Sequence, residues 1–243
     1  MAKPKSKGAA LITGGAKRVA KIICLELAEA GYDIALHYNT SKSDAETVQH
    51  QIQKIGRRCE IFSCDLLNEF QTSRLVGQAF KKFLNLNVLV NSASIFEKST
   101  LLEGDVASLE KHWAIHVKAP FILSSAFAKL KPSHGHIINI LDTNVVKNKT
   151  SHVSYLISKK ALWELTKISA VELGPNVRVN GVAPGLILPP ADEKTDYLDR
   201  MAKNIPLKKK GDPSQIAQSV KFLIEHPYIT GQIIFVDGGE HLV

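Results

Sequence analysis

The segment AALITGGAKRVA, residues 9–20, decides the fold. Its first half is an apolar run of strand length, its second half opens a helical pattern, and Gly14-Gly15 joins the two. A strand that passes through glycine into a helix aims free backbone N–H groups and a positive helix end at the turn, a natural cradle for phosphate. The fingerprint G-x-G-x-x-G is met only in part, because Gly14 is followed by Arg18 and Ala20 at the later positions. On spacing alone a structural turn competes with a phosphate loop.

The pattern continues outward from this segment. Strand-like runs at 9–13, 33–37, 59–63, 88–91, 136–141, 177–182 and 232–236 alternate with helix-like stretches near 17–30, 43–55, 69–83, 106–130, 153–173 and 213–225. This alternation predicts an α/β chain, one Rossmann-type domain over residues 1–243 with a doubly wound, parallel, seven-stranded sheet flanked by helices on both faces. The central strands are apolar on both faces, as a twice-covered sheet requires. Residues 1–7 read as a flexible basic tail. GLILPPADEKTDYLDR breaks the alternation, so residues 186–206 are expected to form a substrate loop, with an ordinary surface excursion as the alternative.

Composition narrows the function classes. At 243 residues and 44% hydrophobic, the chain is large enough to bury a substantial core. No apolar run approaches the roughly 18 residues that cross a bilayer. Cys24, Cys59 and Cys64 form no C-x-x-C pair and read as structural thiols of a cytoplasmic protein, with no metal site expected. The net charge of +8 suggests attraction of a small anion more than nucleic-acid binding, because the densest basic run, 208–210, falls in a loop without interleaved aromatics.

The second strand ends LHYNTSKS, with no acid where a ribose 2′-hydroxyl would be gripped. Arg18 from the first loop, with neutral Asn39, Thr40 and Ser41, would accept a 2′-phosphate and favours NADPH over NADH. At the other end of such a cofactor, Tyr155 and Lys159 are four apart on a predicted helix and share a face. A neighbouring ammonium is expected to stabilise the phenolate and bring the tyrosine pKa toward neutral.

With TGGAKRVA, CDL at Asp65, VLVNSAS at Asn91, Tyr155-x-x-x-Lys159, RVNGVAPG and YITGQIIFVDGG, the chain resembles the short-chain dehydrogenase/reductase family over essentially its full length. The resemblance implies that Tyr155 donates the proton while Lys159 holds the nicotinamide ribose and tunes the tyrosine. It implies cofactor contacts from Gly14, Lys17, Arg18 and Val19, from Tyr38, Asn39, Thr40 and Ser41, from Asp65 and Leu66, from Asn91, Ser92 and Ala93, and from Pro184, Gly185, Leu186 and Ile187. It also implies a homotetramer built through the long fourth and fifth helices. Where the family has an asparagine supporting a proton relay, this chain has His116, which either relays protons or fills the same space.

The second departure is Asp142, thirteen residues before Tyr155, where the family places a serine that binds a substrate carbonyl. A carboxylate opposes the alkoxide that develops in ketone reduction, but it can protonate the nitrogen of a C=N bond. Capping of the next segment is the bland alternative. TGGAKRVA, LHYN, NSASIF, the Asp142/Tyr155/Lys159 set and GVAPGLIL together look like the pteridine reductase branch, including bacterial dihydromonapterin/dihydrofolate reductases. That likeness implies a pterin or folate substrate held by Arg18, Ser94, Phe96, Asp142 and Tyr155, with Phe96 stacking on the bicyclic ring. Phe96 as a mere loop anchor is its alternative. The expected activity is NADPH-dependent reduction of dihydropterins such as dihydrobiopterin, dihydromonapterin and dihydrofolate. The rivals are a carbonyl reductase of the same family acting on 3-oxoacyl thioesters, a non-catalytic NADPH-binding protein, and a nucleic-acid-binding module.

Overall fold

The computed structural model describes residues 6–190 and 196–243. In chain order, β1 (Ala9–Ile12) leads through the glycine turn into α1 (Arg18–Glu29), followed by β2 (Asp33–Tyr38), α2 (Lys42–Lys54), β3 (Cys59–Ser63), α3 (Glu69–Lys82) and β4 (Leu86–Asn91). The second half holds α4 (Val106–Trp113), α5 (Ala119–Lys129), β5 (Gly135–Ile140), α6 (Val153–Leu173), β6 (Val177–Pro184), α7 (Tyr197–Ala202), α8 (Pro213–Glu225) and β7 (Ile233–Val236). The strands form one seven-stranded sheet in the order β3-β2-β1-β4-β5-β6-β7, and every neighbouring pair is parallel.

β1, β2 and β5 are buried along their whole length, which is why they read as mostly apolar runs, with Asp33, His37, His136 and Asn139 as buried polar exceptions. One face of the sheet packs against α1, α2 and α8, where Ile23, Leu27, Val48, Ile52 and Val220 meet Ile12, Ile34 and Leu36. The other face receives α3, α5 and α6, with Leu75, Leu123 and Phe127 against Leu11, Leu89 and Val179. The buried stripe of α1, Ala20, Ile23, Cys24, Leu27 and Ala28, follows the helical period. Gly15 has no room for a side chain, since a Cβ there would come within 2.9 Å of both Leu36 and Cys24. On the sheet's C-terminal half, Arg178 of β6 donates to the carbonyls of Leu223, Ile224 and Ile229 and to His136 Nδ1, so its guanidinium gathers the end of α8 onto β5.

Two expectations need correction. The helix expected at 106–130 is split by a π-turn at Ala114–Lys118, whose closing bond runs from Ala119 N–H to the Ala114 carbonyl. Pro120 explains it, because a proline lacks an N–H and its ring clashes with the carbonyl four residues back. Of the tail expected at 1–7, Lys7 is held against the body of the fold. Residues 1–5 lie outside the described residues, while Lys7 donates through its backbone to Gly31 and pairs with Glu225 at 3.4 Å. Of the expected loop at 186–206, residues 191–195 lie outside the described residues, and α7 occupies part of the rest.

Candidate active site

β1 and β4 are neighbours where the strand order reverses, so the chain's loops open a crevice at their C-terminal ends. The loop after β1 is tied across that crevice. Thr13 Oγ1 donates to the Val90 carbonyl at 3.3 Å and accepts from the N–H groups of Ser92 and Ala93 at 2.9 and 3.0 Å. His37 braces the turn from below, accepting from Gly14 N–H through Nδ1 and donating from Nε2 to the Cys64 carbonyl. Burial holds its pKa below the usual value, so the ring is neutral as these bonds require. Gly14 adopts φ +71, and a Cβ there would lie 3.1 Å from Ala93 Cα. At the start of α1, Lys17 provides no side-chain cap and the first turn carries no acid, which leaves its N–H groups directed into the crevice.

The two cations of this loop diverge. Arg18 Nη2 donates to the Pro189 carbonyl at 2.8 Å, across the crevice to the segment after β6. Lys17 Nζ lies 3.0 Å from Asp44 in the first turn of α2, next to Asn39, Thr40 and Ser41. Arg18, expected near the end of β2, is directed here toward the β6 side with a positive φ of 52, while Lys17 stands near the end of β2. Tyr38 and Leu66 are buried at the ends of β2 and β3, and Asp65 turns its carboxylate onto Leu67 N–H.

The reacting end is assembled by β5, α6 and the turn between them. Tyr155 Oη donates to Asp142 Oδ2 at 2.8 Å. The other oxygen, Oδ1, accepts from both the backbone N–H and the Nδ2 of Asn144, at 2.7 and 2.8 Å. Asp142 thus caps the short 3-10 turn Thr143–Val146 with one oxygen and addresses the tyrosine with the other. Lys159 is 2% exposed, donates to the Ile140 carbonyl at 2.7 Å, and holds its ammonium 5.7 Å from the Tyr155 ring centroid. Burial lowers its pKa to about 8, while Asp142 pulls in the opposite direction. Contrary to expectation, the Tyr155 phenol is held well above its usual value, first by burial and then by the charge and hydrogen bond of Asp142. Tyr155 is therefore a protonated acid.

His116 sits on the π-turn, and its tautomer follows from its partners. Ser158 spends its hydroxyl proton on the Tyr155 carbonyl, so it accepts from His116 Nδ1 at 2.8 Å, and Nε2 accepts from Ser94 Oγ and Ile95 N–H at 2.8 and 3.3 Å. Burial, Lys159 and His112 keep its pKa well below the usual value. Among the described residues none of its hydrogen bonds reaches Lys159; the ring brackets the loop after β4 to α6 and meets the Tyr155 ring edge-on at 5.4 Å. Phe96, 48% exposed, is also edge-on to Tyr155 at 4.8 Å and stacks on His152 at 4.1 Å. Ser99 fixes this neighbourhood by accepting from Val153 N–H through its carbonyl and from Ser154 N–H through Oγ, supplying the cap that His152 does not give α6.

The structure therefore brings Gly14, Arg18, Asn91, Ser92, Ala93, Ser94, Phe96, Asp142, Tyr155 and Lys159 to one edge of the sheet, with Pro184–Ile187 on the neighbouring strand end. Sequence reading missed Asn144, Ser158, Ser99 and His37. The D-T-N turn signals Asn144, and a histidine inside the buried run DIALHY signals a partnered ring. Ser99 and Ser158 carry no such mark.

Comparison with known proteins agrees with this layout. Residues 14–241 match the family model described as enoyl-(acyl carrier protein) reductase. An uncharacterised oxidoreductase of Mycobacterium tuberculosis is 34% identical over 95% of this chain and 90% of its own length. A 3-oxoacyl-[acyl-carrier-protein] reductase of Staphylococcus epidermidis is 30% identical over 96% of this chain and 98% of its own. Among solved structures, the alternative dihydrofolate reductase 1 (FolM) of Brucella suis in complex with NADP has a TM-score of 0.93 and 34% identity, covering 98% of this chain and 96% of that one. Relatives at these identities along almost the entire length, together with the family match, mean that the chain belongs to the short-chain dehydrogenase/reductase family.

Proposed function

We propose that this protein is an NADPH-dependent reductase of dihydropterins. The observation that carries the reading is the 2.8 Å hydrogen bond from Tyr155 to Asp142, which sets a carboxylate where carbonyl reduction would need a donor. The residues present fit the cofactor. The uncapped start of α1 and the tight Gly14 turn suit a pyrophosphate, and Lys17, paired with Asp44 at 3.0 Å, would turn to a 2′-phosphate beside the neutral Asn39, Thr40 and Ser41. The NADP-bound Brucella suis relative supports this assignment.

Bound NADPH would supply the hydride that reaches carbon 6 of a 7,8-dihydropterin. The chain's part is the proton for the adjacent nitrogen. Asp142 Oδ2 accepts from the hydroxyl of Tyr155, so the phenol's proton would pass along that bond to the carboxylate and from it to the substrate nitrogen. Lys159 keeps positive charge beside the phenol as its proton leaves. Phe96 offers a half-exposed ring to a flat heterocycle, Arg18 and Ser94 stand at its edge, and His116 holds the wall behind Tyr155. Dihydrobiopterin, dihydromonapterin and dihydrofolate share the bond this arrangement addresses.

The proposal includes a cytoplasmic homotetramer. Leu109, Trp113, Phe121 and Ile157 are exposed on α4, α5 and α6, and a 730 Å³ apolar groove on that flank suits a second copy of the chain. Among the described residues no helix is long and apolar enough to cross a membrane. A second reading, 3-oxoacyl thioester reduction, is favoured by the Staphylococcus epidermidis relative. The experiment is to incubate the protein with NADPH and each dihydropterin and identify the tetrahydropterin by chromatography. Absence of product from every dihydropterin refutes the proposal.

A further inference from the structure

The hydrogen bonds of His116 form a chain that runs from the helix of Tyr155 to the loop after β4, and backbone groups of fixed polarity anchor it at both ends. The Tyr155 carbonyl can only accept, and it takes the Ser158 hydroxyl proton at 2.7 Å. Ser158 Oγ therefore accepts from His116 Nδ1 at 2.8 Å. The Ile95 N–H can only donate, and it meets His116 Nε2 at 3.3 Å. Nε2 is thus a lone pair, and the ring carries its one proton on Nδ1.

This lone pair decides what Ser94 can offer. Ser94 Oγ lies 2.8 Å from Nε2, so its hydroxyl proton goes to the ring, the Ile95 carbonyl at 3.3 Å being the longer alternative. A hydroxyl has one proton and two lone pairs, so Ser94 keeps only lone pairs for any further partner. His116 and Ser158 are buried, whereas Ser94 is exposed beside Phe96. A hydrophobe could fill the space behind Tyr155 as well as an imidazole. Two nitrogens in this alignment are needed only if the direction of the Ser94 bond matters.

We propose that His116 is a positioning residue that fixes Ser94 as a hydrogen-bond acceptor, and that Ser94 thereby takes an N–H group of the substrate. The inference rests on the dihydropterin reading of the site and names the group by which that class is recognised. A 2-amino-4-oxopterin carries N–H donors on its ring and on its exocyclic amine. A 3-oxoacyl thioester brings only carbonyl oxygens to the reacting end, which would leave Ser94 facing another acceptor. Asp142 is engaged as an acceptor too, by Tyr155 and Asn144, so both side chains favour a donor-bearing heterocycle.

The test measures KM and kcat for 7,8-dihydrobiopterin in the wild type, Ser94→Ala, His116→Phe and the double variant. Ser94→Ala should raise KM about tenfold and leave kcat within about threefold. His116→Phe keeps a flat ring but frees the Ser94 proton, so KM should rise by a similar factor. The double variant should be no worse than Ser94→Ala, because the histidine acts through the serine. Multiplying losses overturn the proposal, as does a His116→Phe variant that lowers kcat and leaves KM alone, the mark of a proton relay. Nitrogen-15 NMR of the wild type, with the His116 signals assigned through its backbone, decides the matter even if His116→Phe fails to fold. A protonated Nδ1 and a bare Nε2 are expected at pH 7, and the opposite tautomer or an imidazolium overturns the proposal. If the wild type reduces no dihydropterin, the functional reading fails, while the tautomer still decides the direction of the Ser94 bond.

Discussion

Asp142→Asn changes one atom's chemistry and little else. The Asn144 N–H and Nδ2 both point at Oδ1, so the new amide should turn its oxygen toward Asn144 and its nitrogen toward Tyr155. The 3-10 turn at Thr143–Val146 keeps its cap, but the bond at 2.8 Å reverses, with Tyr155 Oη accepting where it now donates. The variant can neither accept the phenol's proton nor pass it to the substrate nitrogen. General acid catalysis by a positioned group is worth roughly 10²- to 10⁴-fold, so kcat with a dihydropterin should fall about a thousandfold, near 4 kcal/mol of barrier. NADPH affinity, set by the β1–α1 turn on the other side of the crevice, should stay within about twofold. Steady-state NADPH oxidation gives kcat, and quenching of Trp113 and Trp163 fluorescence gives the dissociation constant. A variant that turns over dihydropterin within about threefold of wild type would remove Asp142 from the chemistry. A matching loss of cofactor affinity would make its role structural.

Lys17→Ala should weaken NADPH about tenfold relative to NADH, whereas Arg18→Ala should raise the pterin KM and leave the cofactor ratio alone; isothermal titration with both cofactors separates the two, and the reverse pattern would refute the placement of these cations. Asn144→Ala deletes one of the two bonds from Asn144 that orient Asp142, so kcat should fall about tenfold with little change in KM, and an unchanged kcat would show that the backbone bond suffices. Acid should destabilise the fold. Burial, then the Arg178 charge, holds the His136 pKa at about 3, so the folded protein leaves this ring neutral while the unfolded chain protonates it near pH 6.5. Stability is therefore full above pH 6.5 and falls by about 1.4 kcal/mol per pH unit from there toward pH 3, with His37 and His116 shifting in the same direction. Urea midpoints at pH 7 and pH 5 check this, and an equal or higher midpoint at pH 5 would contradict it.

What the residues revealed in advance follows from what periodicity can encode. Buried parallel strands announce themselves because both faces are apolar, so AALI and DIALHY were legible, and their alternation with helices implied the sheet. The break in the helix expected at 106–130 was missed although Pro120 lies inside it, and the resulting π-turn depends on which carbonyl yields, a tertiary choice. Tyr155, Lys159 and Asp142 were legible by type and spacing. The direction of a side chain was not. Adjacent cations Lys17 and Arg18 look equivalent in sequence, yet a positive φ at Arg18 sends them to opposite sides of the crevice. The tyrosine's proton affinity was misread because spacing pairs it with Lys159, whereas the fold places its hydroxyl on Asp142.

The most direct test of the account is the ratio of kcat/KM for 7,8-dihydrobiopterin to that for a 3-oxoacyl thioester, followed through NADPH absorbance at 340 nm with the same enzyme preparation. A carboxylate at position 142 predicts a ratio far above one, collapsing in Asp142→Ser. A ratio below one that persists in that variant would mean that Asp142 only caps its turn, and that the protein reduces carbonyls.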